Sequence, residues 1–181
     1  MPGDPAMVVT PVLRGVFGIE ADGLNHTLKV TPRLPADWDH AEIKRLHVGD
    51  SVVNLEFKRE DTVMKVSLRQ VEGAPVRIEG ASPGESTLRV PLPAVEVSVG
   101  HGLPPRGAIT AQMKVLSEKI EGRSLRLEVE GIAGSQASMR LRRNDASVPV
   151  RVEGAVRVGD ELRVSFGPGI GYVTQVVTVR W

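Results

Sequence analysis

The chain has 181 residues, 23 basic and 22 acidic side chains, 41% hydrophobic residues and no cysteine. This length suffices for one large domain or two small ones. The balanced charge excludes a basic footprint for nucleic acid or an anionic membrane surface, no apolar run is long enough to span a bilayer, and the lack of cysteine excludes disulfides and thiolate chemistry.

The first predicted element is a short apolar segment at residues 7–17, in which Thr10 and Pro11 suit the N-cap and first position of a short helix. A helix of this length is unstable alone in water, so the segment needs a partner surface. We interpret residues 1–20 as the helical remnant of an upstream domain. In isolation we expect either self-association through residues 7–17 or disorder there.

Residues 21–99 form a first predicted β-sandwich region, because apolar and polar residues alternate with period 2. The clearest alternation is Val53, Leu55 and Phe57, followed after the turn at 59–61 by Met64, Val66 and Leu68. Residues 41–69 therefore predict a three-stranded meander. Strands are predicted at 27–31, 42–48, 52–58, 63–69, 75–79, 87–90 and 95–99.

Residues 100–107, with two prolines flanked by glycines, are the predicted linker to a second β-sandwich region at 108–181. Strands are predicted there at 109–115, 124–130, 138–142, 148–152, 161–166 and 172–181. Short strands with regular turn signals predict an all-β protein made of antiparallel β-sandwich, as one large or two small Ig-like sandwiches with a short N-terminal helical remnant.

Two phrases near the N-terminus carry a family resemblance. Leu13-Arg14-Gly15-Val16-Phe17-Gly18-Ile19 precedes Thr27-Leu28-Lys29-Val30-Thr31-Pro32-Arg33-Leu34-Pro35-Ala36-Asp37-Trp38. This succession resembles the passage from the catalytic barrel into the C-terminal β-sandwich of bacterial glycoside hydrolases with a six-hairpin (α/α) barrel, the glycogen-debranching and trehalase- or rhamnosidase-like relatives. The resemblance is good over residues 8–57 and a general strand pattern from about residue 125 to 181.

The resemblance implies a non-catalytic accessory domain of carbohydrate metabolism whose partner is a catalytic (α/α) barrel, in cis or in trans. The catalytic carboxylates of that family belong to the barrel, upstream of Met1, so no hydrolase activity is expected from this chain alone. The residues expected to cover the barrel are Val12, Leu13, Val16, Phe17 and Trp38. The compartment is left open, with cytoplasmic as the default and secretion not excluded.

Other motifs favour ordinary structural interpretations. The four histidines lack metal-site spacing, and no metal or cofactor is predicted. Gly167-Pro168-Gly169-Ile170-Gly171 precedes a predicted strand, so it indicates a turn and not a phosphate-binding loop. Asp37-Trp38-Asp39 superficially resembles a glycosidase pair or a sugar platform, but a packing role for Trp38 is favoured.

Two rival functions remain at this stage. A free-standing glycan-binding module would use exposed aromatic rings, for which Trp38 and Tyr172 are the candidate sugar contacts. An Ig-like interaction module would pair an edge strand, predicted at 173–179, with a partner chain.

Overall fold

A computed structural model describes residues 12–100, 106 and 112–181. The described chain is nearly all β, with several antiparallel sheets and one helical turn at residues 12–15, which confirms the predicted fold class. The chain separates into two compact units, Met1–Leu92 and Pro93–Trp181. Each unit has a hydrophobic core of its own.

The first unit contains two sheets. Its strands are β1 (Ile19–Asp22), β2 (Thr27–Val30), β3 (His40–Val48), β4 (Ser51–Glu60), β5 (Val63–Glu72), β6 (Arg77–Ile78) and β7 (Thr87–Pro91). They form a three-stranded sheet of order β1-β2-β6 and a four-stranded sheet of order β3-β4-β5-β7. The β2–β6 pairing is parallel, and the other pairings in this unit are antiparallel.

The predicted meander over residues 41–69 is confirmed by the pairing of β3 with β4 and of β4 with β5. Val53, Leu55 and Phe57 alternate along β4, and all three are fully buried. Strand β1 was not predicted, because only Ile19 of its four residues is buried and the other three are exposed, so the period-2 pattern is missing. The period-2 pattern detects strands that have several inward positions, and β1 has one.

The second unit consists of two four-stranded sheets around one core. Its strands are β8 (Val95–Val99), β9 (Lys114–Glu121), β10 (Ser124–Ile132), β11 (Gln136–Arg143), β12 (Arg151–Glu153), β13 (Val156–Val158), β14 (Glu161–Ser165) and β15 (Tyr172–Arg180). The sheet orders are β13-β14-β11-β8 and β12-β15-β10-β9, and every pairing among these strands is antiparallel.

The structure places the boundary between the units earlier than the predicted linker at 100–107. Strand β8, assigned from sequence to the first region, pairs with β11 of the second unit, and Val95 is buried in the second core. Leu92 packs against the first core and Ala94 against the second, so the chain passes between units at Pro93. Most of the predicted linker lies outside the described residues.

The prediction that residues 173–179 form an exposed edge strand is met only in part. They belong to β15, which pairs with β10 along its whole length on one side, whereas on the other side β12 pairs only with residues 178–180. Two of its residues, Val177 and Val179, are fully buried. Alternation in sequence identifies an inward face, but it does not distinguish an interior strand from an edge strand.

Candidate interface surface of the first unit

The five residues predicted to cover a catalytic domain lie at different depths in the first unit. Phe17 is a core residue, and Leu13 and Val16 are half-buried and pack against the same core. Val12 and Trp38 are each 41% exposed. We call these five residues the seam surface, in which Val12 and Trp38 are the outer members.

Residues 12–20 therefore belong to the first unit, in contrast to their interpretation as a remnant of another domain. The burial of Phe17 and Ile19 is the physical reason, because both side chains complete the core beneath β2 and β4. The predicted self-association through residues 7–17 involves residues 7–11, which lie outside the described residues, as well as the described residues 12–17.

Backbone hydrogen bonds tie the helical turn to the loop after β2. Within the turn, the Val16 N–H donates to the Val12 carbonyl at 2.9 Å. The Arg33 N–H donates to the Val16 carbonyl and the Thr31 N–H to the Gly18 carbonyl, both at 2.9 Å. The two phrases recognised in the sequence thus form one hydrogen-bonded substructure.

Gly18 is required where the turn passes into β1. Its φ is +61°, and a Cβ at this position would lie 1.8 Å from the Thr31 carbonyl oxygen. A side chain here would break the contact that joins the turn to the loop, since the obstacle is backbone and cannot rotate away.

A column of aromatic rings runs from the core to the seam surface. The Phe17 ring is 5.1 Å from Phe57 and 6.5 Å from Trp38, measured between centroids, and both pairs are tilted by about 50°. Phe57 is fully buried on β4. The exposed indole of Trp38 is thereby supported by the sheet.

The loop that carries Trp38 is held at both ends. Leu34 and Ala36 are buried, and the Trp38 N–H donates to the Pro35 carbonyl at 2.9 Å, which closes a turn. Beyond Trp38, the Asp39 carbonyl accepts the Arg59 N–H of β4 at 2.8 Å. The position of the indole is consequently set by the fold.

Arg59 is a buried cation beside this loop, and sequence reasoning did not single it out. Its side chain is 2% exposed, and its Nε lies 3.9 Å from Oδ1 of Asp39. Arg59 continues the inward phase of Val53, Leu55 and Phe57 on β4, and that phase was the available signal. Asp39 therefore has a structural partner, which favours a packing role for the Asp37-Trp38-Asp39 phrase over a catalytic one.

The other candidate sugar contact, Tyr172, belongs to the second unit. It is half-exposed at the start of β15, and Nζ of Lys114 lies 4.7 Å from its ring centroid. Trp38 and Tyr172 therefore lie on different units.

A second polar cluster lines a shallow hollow between the β1–β2 and β3–β4 turns. Nδ1 of His26 lies 3.3 Å from Oγ of Ser51 and 3.8 Å from Oδ1 of Asp50. The composition is that of a hydrolase triad, but the serine and the carboxylate meet the same ring nitrogen, whereas a triad uses opposite nitrogens. Ser51 is fully buried and donates to the Ala74 carbonyl at 2.9 Å. Its hydroxyl is structural.

In the ranges 12–100, 106 and 112–181, no cluster of three or more His, Asp or Glu side chains is arranged to hold a metal ion. The helix found in that same part of the chain is far too short to cross a bilayer.

No family model, curated protein or solved structure matches the chain.

Proposed function

We propose that the chain is a non-catalytic β-sandwich accessory region of a carbohydrate-active glycoside hydrolase, which packs against the catalytic (α/α) barrel and supports it. The single observation that carries the proposal is the outer part of the seam surface: Val12 and Trp38 are exposed apolar side chains, and Trp38 is supported by the buried rings of Phe17 and Phe57. The resemblance of these same phrases to the barrel–sandwich passage of that enzyme class supports the assignment.

The chemistry of the seam surface suits contact with another folded domain. A tryptophan that is fixed by packing loses little conformational freedom on binding and presents a large apolar area, so such residues dominate the binding energy of many interfaces. Trp38 is fixed in this way by Phe17 beneath it and by the Pro35 turn beside it. The half-buried Leu13 and Val16 extend the apolar surface around the helical turn.

The test uses the catalytic domain encoded together with this chain, produced separately and mixed with the chain. We expect a complex, and we expect Trp38→Ala to weaken it by about thirtyfold or more, since loss of a central interface tryptophan typically has this effect. Calorimetric titration measures the affinity. We expect hydrolytic activity from the catalytic domain and none from this chain.

The matched control is Leu24→Ser. Leu24 is 94% exposed in the turn between β1 and β2, so this variant also removes an exposed apolar side chain from the first unit. Equal weakening by Trp38→Ala and Leu24→Ser would contradict the proposal, as would a catalytic domain that does not bind the chain or glycoside turnover by the chain alone.

A glycan-binding module is the second candidate, favoured by the exposed indole of Trp38 between the exposed residues Asp37 and Asp39. Titration with α-glucans distinguishes the two functions. Saturable glycan binding that Trp38→Ala abolishes, together with no affinity for the catalytic domain, would select the binding module and exclude the accessory role.

A further inference from the structure

Strand β9 is an exposed edge of the second unit. It pairs with β10 along one side, and no strand in the described ranges pairs with its other side. Seven of its eight residues are exposed. Val115 and Ile120 lie opposite Val129 and Leu125, which are fully buried, yet they remain 38% and 53% exposed themselves. Such an edge offers both unpaired backbone groups and apolar side chains to another strand.

A β-bulge sets which side chains of β9 share a face. Ser117 pairs with Glu128 and Val115 pairs with Val129, so Leu116 is the extra residue. The bulge shifts the alternation by one position. As a result, Val115 and Ile120 both point to the inner face although they are five residues apart, and Lys114 and Glu121 both point to the outer face.

We propose that a second copy of this chain pairs with β9, antiparallel and about a two-fold axis, so that two β12-β15-β10-β9 sheets join edge to edge. With Leu116 left unpaired in each strand, Lys114 lies opposite Glu121 of the second copy, and Val115 lies opposite Ile120 of the second copy. By symmetry each contact occurs twice. The strand is therefore complementary to itself in both charge and hydrophobicity.

The same register defines the centre of the interface. Ser117 lies opposite Lys119 of the second copy, and Glu118 meets its own symmetry mate on the axis. Like charges placed directly opposite each other destabilise a strand pair, so Glu118 opposes association. The contact between the two Glu118 side chains identifies this register, because a pairing shifted by one residue would not place Glu118 opposite itself.

Four other edge strands, β3, β7, β12 and β13, fit a second copy less well. The inward side chains of β3, Ala41, Ile43 and Leu46, are already packed against the first core. Strand β7 ends in Pro91, which lacks a backbone donor, and β12 and β13 have three residues each. Strand β9 combines length, exposed inner-face side chains and opposite charges at its two ends.

Sedimentation equilibrium of the full chain over a wide concentration range tests the proposal. The chain is expected to dimerise reversibly. Lys114→Glu or Glu121→Lys alone creates two like-charge pairs and should raise the dimer dissociation constant about tenfold. The double variant restores opposite charges and should return the constant close to that of the original chain. Glu118→Gln should tighten the dimer, because it removes the repulsion on the axis.

Glu121→Lys is the cleaner single variant, since Lys114 also contacts Glu130 and the Tyr172 ring within its own chain. The control is Lys44→Glu on the edge strand β3, which makes the same charge change, with circular dichroism confirming that every variant is folded. A chain that stays monomeric, a double variant as weak as the single ones, or an equal effect of Lys44→Glu would overturn the proposal. Loss of the dimer in Val12→Ser would also overturn it, because association would then run through the N-terminal segment.

Discussion

Asp22 organises the turn between β1 and β2. Its Oδ1 accepts the N–H groups of Leu24 and Asn25 at 3.1 Å each, and its Oδ2 accepts the Asn25 side-chain amide at 2.6 Å. The hydrogen bond from the Asn25 side chain, followed by the backbone donors, lowers the pKa of the Asp22 carboxyl below its ordinary value of 3.8. The ionised carboxylate is the form that holds the turn.

The lowered pKa of Asp22 predicts how the stability of the fold changes with pH. A carboxyl whose pKa is lower in the folded than in the unfolded chain stabilises the fold above its unfolded-state pKa, and the contribution is lost as the pH falls below about 4. We therefore expect Asp22→Asn to flatten the dependence of the free energy of unfolding on pH in that acidic range. Urea denaturation at a series of pH values measures it.

The pKa of Asp22 can also be measured directly, from the titration of its carboxyl carbon resonance. The carboxyl carbon resonance of Asp22 should titrate with its midpoint below 3.8. A midpoint at or above that value, or an Asp22→Asn variant that loses stability on acidification as steeply as the original chain, would show that the turn does not depend on the ionised carboxylate.

Arg59 shows where prediction from the sequence reaches its limit at single positions. The alternation along β4 predicts Val53, Leu55 and Phe57 as inward residues, and all three are buried. Arg59 continues the same phase, but a cation is not expected in a core unless a partner compensates it. The carboxylate of Asp39, which lies 3.9 Å from Nε of Arg59, comes from a loop twenty positions earlier, and only the folded chain brings the two together.

Strand β8 illustrates a similar limit for whole elements. The strand itself was predicted, because its valines alternate, but alternation contains no information about which sheet a strand joins. The structure supplies that information through contacts of residue 144, which follows β11. The Asn144 N–H donates to the Ala94 carbonyl at 2.9 Å, and its side chain donates to the Pro93 carbonyl at 2.8 Å.

This assignment predicts the behaviour of two fragments. A fragment of residues 93–181 retains β8 and a complete core, so it should fold with a cooperative unfolding transition. A fragment of residues 100–181 lacks β8 and the buried Val95, which exposes the edge of β11, so it should be largely unfolded. Thermal unfolding, monitored by circular dichroism, compares the stability of the two fragments. Two equally stable fragments would contradict the assignment of β8 to the second unit.

For the whole molecule, composition and periodicity predicted the all-β class, because this class depends on many residues at once, but they left one large and two small sandwiches as alternatives. The exposed side of the seam surface was harder to predict. Five apolar residues near the N-terminus gave no indication that Phe17 is buried against Phe57 while Trp38 stays accessible. The side chains that remain outside, Val12 and Trp38, define the contact expected with a catalytic domain.

Radical footprinting of Trp38 tests that contact most directly. Mass spectrometry compares the oxidation of this residue in the chain alone with its oxidation in the complex with the catalytic domain, and Leu24, 94% exposed, serves as the internal reference. The account predicts strong oxidation of Trp38 in the chain alone and marked protection in the complex, with Leu24 unchanged. Equal oxidation of Trp38 in both states would contradict it.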